Sequence, residues 1–130
     1  MVNHTISKSR YLSGLQCQKR LWNEIHAPTS IPEPDADQQW IFDQGHEIGR
    51  IAQDLVPGGE EVLYGQKAET AARTEELLPE RKPIYEASFL VDGAYCRVDV
   101  LRPAPGTSWD VLEVKSGTSI REQNIDDIAF

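Results

Sequence analysis

Glu113 and Lys115 stand two residues apart in the run "WDVLEVKS" (109–116), whose remaining positions suit a buried strand. Upstream, "AYCRVDVLR" (94–102) carries Asp99, with 13 residues between it and Glu113. Strand alternation puts Tyr95, Arg97 and Asp99 on one face and Cys96, Val98 and Val100 on the other. In the later run Val111, Glu113 and Lys115 share a face. If the two strands pair through the turn at 103–108, Asp99 and Glu113 sit side by side. Carboxylates that close repel each other unless a cation or a shared proton lies between them. A hard divalent ion, Mg2+ or Mn2+, takes oxygen ligands, and the Val114 carbonyl offers a third oxygen. Lys115, one step along, would hold or help deprotonate an attacking water while the ion stabilises charge on a phosphoryl oxygen. The plain structural alternative is a surface Glu113–Lys115 ion pair, contributing about 0–1 kcal/mol. Asp99 is harder to reduce to structure, because aspartate is depleted in strands.

The elements that must position these residues follow from periodicity and punctuation. Ser7 or Ser9 is placed to cap a first helix that continues through "CQKRLWNEIH". "APTSIPEPDAD" reads as a loop, since Pro28, Pro32 and Pro34 forbid regular structure. Asp35 or Asp37 then caps a long helix with an apolar stripe of Trp40, Ile41, Ile48, Ile51 and Leu55, stopped by "PGG" at 57–59. A further helix spans Ala68 to Leu78. The period then changes to two: "PIYEASFLV" and "AYCRVDVLR" flank Asp92-Gly93, a tight-hairpin pair. "WDVLEVKS" is the third strand, and a last helix begins near Arg121–Asn124. The fold class expected is α/β, helical over 7–78, with strands over 83–116 forming a mixed sheet of about three strands and a helix starting in 121–130. Trp22, Trp40 and Trp109 are expected in the core. Gly45 and Gly49 would let the long helix approach the sheet closely, and Cys17 and Cys96 would be small buried side chains.

The 130 residues allow one domain with a single core. No run approaches the roughly 20 apolar residues of a membrane span, and the N-terminus lacks a secretory apolar segment. Two distant cysteines point to a reducing, cytoplasmic setting. Thirteen basic against 21 acidic residues, a formal charge of −8, argue against a general nucleic-acid coat protein. The charge is uneven, however: residues 1–22 carry Lys8, Arg10, Lys19 and Arg20 and no acid. Such a strip meets a phosphate backbone if metal ions cover the acidic site.

Four motifs in order extend the Asp99–Glu113–Lys115 pattern. They are "YLSGLQCQKRLW" (11–22), "FDQGHEIG" (42–49), "GAYCRVD" (93–99) and "EVKSG" (113–117). Together they resemble the RecB-like branch of the PD-(D/E)XK nuclease superfamily, and the opening segment resembles CRISPR-associated RecB-like exonucleases. The likeness runs from about Ser7 to Phe130. It implies a restriction-endonuclease-like core and a single nuclease domain over 1–130, with Mg2+- or Mn2+-dependent, exonucleolytic hydrolysis of single-stranded DNA. Asp99 and Glu113 would bind metal, His46 would be an additional ligand and Lys115 the catalytic lysine. Glu86 matches an acidic position on the first strand, and Arg97, with Lys19 and Arg20, would contact substrate. In relatives a Gln/Tyr motif follows the third strand, and some bind an iron–sulfur cluster through one early and three late cysteines. Cys17 fits the early position, so the cluster is expected only of a longer chain, and the missing C-terminal region or a partner subunit is expected to complete the site. Val98 replaces the proline usual before the aspartate, as is common in this branch. The rival reading is a degenerate nuclease fold that binds nucleic acid or protein without cutting, or an inactive piece of a larger enzyme.

Overall fold

A computed structural model describes residues 5–130, so residues 1–4 of the predicted domain lie outside the described part. The chain opens with β1 (Ile6–Ser7) and α1 (Lys8–Gln16), whose first turn is capped by Ser7 Oγ accepting the Arg10 N–H at 3.4 Å. The expected continuous first helix is divided. Cys17 is extended (φ −162°), and α2 (Gln18–His26) folds back on α1. Gly14 permits that return, since a Cβ there would lie 2.9 Å from the Leu21 side chain. The proline-rich loop holds only a short 3-10 turn at Pro28–Ser30, and Asp35 then caps α3 (Ala36–Leu55) by accepting the Gln38 N–H at 2.9 Å. β2 (Glu60–Glu61), α4 (Lys67–Leu77), β3 (Ile84–Val91), β4 (Ala94–Pro103), β5 (Trp109–Leu112) and α5 (Glu122–Ala129) complete the order.

The fold is α/β, with a mixed sheet centred on β4. β3 pairs antiparallel along its length, β1 joins its start in parallel, β5 joins its end antiparallel, and β2 runs parallel to β3. The sheet thus has five strands rather than about three; β1 and β2 are two-residue pairings, too short to leave a period in the sequence. The hairpin turn at Asp92-Gly93 has both φ values positive, 49° and 81°, the geometry that favours this residue pair. Val62, Leu77, Ile84, Ala87, Val98 and Leu101 form the core, with Leu78, Phe89 and Trp109 packed at its margin. Of the three tryptophans only Trp109 contributes to it, stacked under the Arg81 guanidinium at 4.6 Å. Trp22 and Trp40 are 57% and 63% exposed, contrary to expectation, as are most apolar residues of α3. Periodicity identified that stripe correctly but does not say what covers it. Cys17 is exposed and Cys96 half-buried, and both are free thiols. No helix among the described residues is long and apolar enough to cross a membrane.

One irregularity in the sheet governs everything that follows. Ile84 and Ala87, three residues apart on β3, both enter the core, and so do Leu101 and Val98 opposite them. Strict alternation forbids this. The register passes from Tyr85–Val100 to Ala87–Val98, so Glu86 and Asp99 face each other at the place where both strands change phase. Glu86 absorbs the change with a φ of 57°, a conformation that costs a non-glycine residue on the order of 1 kcal/mol or more. Two successive β3 residues, Tyr85 and Glu86, therefore turn toward α3. The Tyr85 hydroxyl donates to the Val56 carbonyl at 2.5 Å and accepts the Gly59 N–H at 3.1 Å, pinning the end of α3 over the sheet. Gly59 has no room for a side chain: a Cβ would lie 2.6 Å from both the Pro83 carbonyl oxygen and the Tyr85 ring.

On the core side of the sheet, fully buried Thr74 donates to the Thr70 carbonyl and accepts the Ser88 N–H at 2.8 Å. Thr74→Val keeps the shape and strands that N–H. It is expected to cost about 1–3 kcal/mol in denaturant unfolding, whereas Thr74→Ser should recover most of the loss.

Candidate functional site

The phase change opens a groove between α3 and the sheet, with a volume of about 510 Å3. From α3 it receives His46, Arg50 and Gln53, and from the sheet Glu61, Glu86 and Asp99, with Val114 at its floor. Gly45 and Gly49 line the helix side, but not as close-packing points: a Cβ at either would meet nothing within 4 Å. Their missing side chains widen the groove instead. Four of the residues singled out from the sequence, His46, Glu86, Asp99 and Val114, are thus brought to one cavity.

Asp99 is held by its neighbour along the sheet. The Val114 N–H donates to Asp99 Oδ2 at 2.6 Å. That bond takes the N–H that a continued β5 ladder would have used, and β5 ends at Leu112 rather than running to Ser116 as expected. Burial pushes the Asp99 carboxyl above its ordinary 3.8 and the Glu86 charge adds to this, against the Val114 N–H and the cations Lys115 and Lys8. Arg97 does not point at open solvent: its Nε donates to Glu86 Oε2 at 3.1 Å and its Nη2 to the Val62 carbonyl at 2.9 Å.

Glu113 departs from its expected place. It is close enough to Asp99 for their charges to interact, yet it lines a different cavity, with Lys115 and the 117–128 segment. Its Oε1 accepts from Lys115 Nζ at 2.9 Å and its Oε2 from Lys8 Nζ at 3.1 Å. Asp127 of α5 closes the network, pairing with Lys115 and lying 3.0 Å from Lys8 Nζ. Three of these side chains are largely withdrawn from water: Lys8, Glu113 and Asp127 are 17%, 10% and 9% exposed. Burial opposes both ammonium charges, but the two carboxylates outweigh it and hold Lys8 and Lys115 above the ordinary 10.5. Burial likewise pushes Glu113 up, Asp99 adding to the shift, whereas for Asp127 the two lysines prevail and its pKa falls below 3.8. The Glu113–Lys115 pair of the structural alternative is therefore present, but as part of a half-buried tetrad rather than on a solvated face.

Lys19 and Arg20 do not reach the groove. They lie on α2 beside Cys17, lining a separate hollow; Arg20, engaged with Glu24 and Gln16, also lines a cavity with Lys115 and Asp127. Lys8 and Asp127 were not legible as site residues. Lys8 reads in sequence as one member of a basic strip and nothing there singles out Asp127, and only the β1–β4 pairing and the docking of α5 bring them to Glu113.

In kind, the groove's donors suit a hard divalent ion: Glu86 and Asp99 face each other across the kink, with Glu61 and His46 at the rim. The Asp99 pKa is raised first by burial and then by the Glu86 charge, both of which a bound cation would offset. Among the described residues, however, no three His, Cys, Asp or Glu side chains converge closely enough to hold an ion between them. No family model, curated protein or solved structure matches this chain.

A carboxyl whose folded pKa lies above its ordinary value is more protonated in the folded than in the unfolded state just above pH 3.8, so it weakens the fold as pH rises through that window. Asp99→Asn can still accept the Val114 N–H. It is expected to raise the urea midpoint at pH 7, and the gain should vanish below about pH 4, where the parent carboxyl is neutral in both states.

Proposed function

We propose that this chain is the nuclease-like part of a metal-dependent phosphodiesterase acting on DNA, with a restriction-endonuclease-like core and its reaction centre in the groove beneath α3. What supports this reading above all is the opposition of Glu86 and Asp99 at the kink, with Lys115 close enough for its charge to act on Asp99. Folding keeps a partly buried carboxylate there beside a second one whose only paired cation is Arg97 among the described residues, an arrangement that a divalent ion would further stabilise. Asp99 and Glu86 would hold Mg2+ or Mn2+, with His46 and the Val114 carbonyl as further donors. When bound, the ion would supply Lewis acidity toward a phosphoryl oxygen and make water more acidic.

The other roles belong to the chain itself. Lys115 keeps its proton, so it acts by orienting water and by placing positive charge near the phosphate rather than as a base. Glu113 and Asp127 fix the Lys115 ammonium, which makes Glu113 in this arrangement a positioning residue, each of its oxygens accepting from one lysine. Arg97 is a support for Glu86 before it is a phosphate contact. A non-catalytic binding module is the second reading. It is favoured by one observation, that both Glu113 oxygens are already taken by ammonium groups.

Cleavage of end-labelled single-stranded DNA with Mg2+ or Mn2+ separates the two. Asp99→Ala and Lys115→Ala should each lower the rate by roughly 100-fold or more, with circular dichroism unchanged. A parent protein that binds the strand and cuts nothing at any metal concentration would favour the binding module.

A further inference from the structure

Beyond the Glu86–Arg97 pair, Arg97 and Lys8 also line a second cleft of about 340 Å3, whose Tyr64 and Lys67 the reaction proposed above does not use. Tyr64, Lys67, Tyr95, Arg97 and Ser9 line it. Tyr64 is 91% exposed, although it belongs to a loop that places its neighbour Val62 in the core. The Arg97 guanidinium lies 5.6 Å from the Tyr64 ring centroid, so one face of the ring is backed by a cation. A ring this exposed leaves its other face to solvent. Lys67 Nζ lies 5.4 Å from the Tyr95 ring centroid and forms no ion pair among the described residues. Arg97 Nη1 is buried and has no hydrogen-bond partner among them.

An uncovered aromatic face gains nothing from folding. The Lys67 ammonium, unpaired among the described residues, and the Arg97 guanidinium beside the ring stand out on a chain of net charge −8. Stacking surface plus local positive charge is the composition that holds unpaired bases and their phosphates without sequence preference. A base within a duplex has both faces occupied and cannot use Tyr64.

We propose that the Tyr64–Lys67–Arg97 cleft binds single-stranded nucleic acid, one base stacked on Tyr64 and a backbone phosphate between Lys67 and Arg97. The inference rests on the nuclease reading for its choice of polyanion. The Arg97–Glu86 bond joins a residue lining this cleft to one lining the groove beneath α3.

The test is fluorescence anisotropy of a labelled oligothymidine at low salt with EDTA, so that no divalent ion takes part. Tyr64→Ala should weaken binding about tenfold or more, and Tyr64→Phe should retain it. Lys67→Ala should weaken it and reduce the slope of log K against log salt by about 0.7. Both side chains lie outside the core, so the fold should be unaffected. Absent binding by the parent, equal affinity in Tyr64→Ala, a duplex bound as tightly as the single strand, or polyglutamate competing as well as the oligonucleotide would each overturn the inference. If the variants behave as expected and the parent still cuts nothing with Mg2+ or Mn2+, the cleft stands and the hydrolase reading falls. If cutting depends on Asp99 while binding ignores Tyr64, the cleft alone falls.

Discussion

The shared break in alternation at Glu86 and Asp99 is the constraint on which this structure turns. A regular hairpin would send successive side chains to opposite faces and carry these two directly opposed carboxylates together, both into the core or both into water. By changing phase in both strands at the same level, the hairpin keeps Ile84, Ala87, Val98 and Leu101 packed together and still turns Tyr85, Glu86 and Asp99 toward α3. The left-handed backbone at Glu86 and the desolvated charge at Asp99 are the costs of that choice. Tyr85 converts it into architecture, because its hydroxyl fixes the end of α3 above the kink and so sets the roof of the groove.

A second constraint acts at the other end of the site. Ammonium or carboxylate groups withdrawn from water are expensive singly and tolerable only as a balanced set. Lys8, Glu113, Lys115 and Asp127 form such a set, two of each sign, drawn from the start of α1, the segment after β5 and α5. The network ties those three parts of the chain together and fixes the protonation state of Lys115. It also explains why Glu113 and Asp99, although neighbours across β4 and the chain leaving β5, serve different cavities. The Val114 N–H turns to Asp99, and the two residues flanking Val114 turn to the tetrad.

Much of this was legible in the sequence where local rules decide. The caps at Ser7 and Asp35, the "PGG" stop, the Asp92-Gly93 turn and the two long strands follow from side-chain chemistry and period. Asp99 and Val114 come together by strand pairing alone, whereas His46 and Glu86 are placed with them only through motif order, since nothing in the period of α3 says which face meets the sheet. What stayed hidden depends on long-range contacts. β1 and β2 are too short to carry a pattern, the kink at Glu86 looks in sequence like an ordinary outward-facing strand residue, and Lys8 meets Asp127 across more than a hundred residues. Trp22 and Trp40 mark the opposite limit, since an aromatic side chain implies burial only if some surface is available to cover it.

The most direct test of the account is to ask where a paramagnetic divalent ion goes. With 15N-labelled protein, substoichiometric Mn2+ should broaden amide resonances around His46, Glu86, Asp99 and Val114 first, and Asp99→Asn should abolish that selectivity. Broadening confined to the exposed acids of α4, or spread evenly over the acidic surface with the groove untouched, would contradict the claim that the kink builds a cation site.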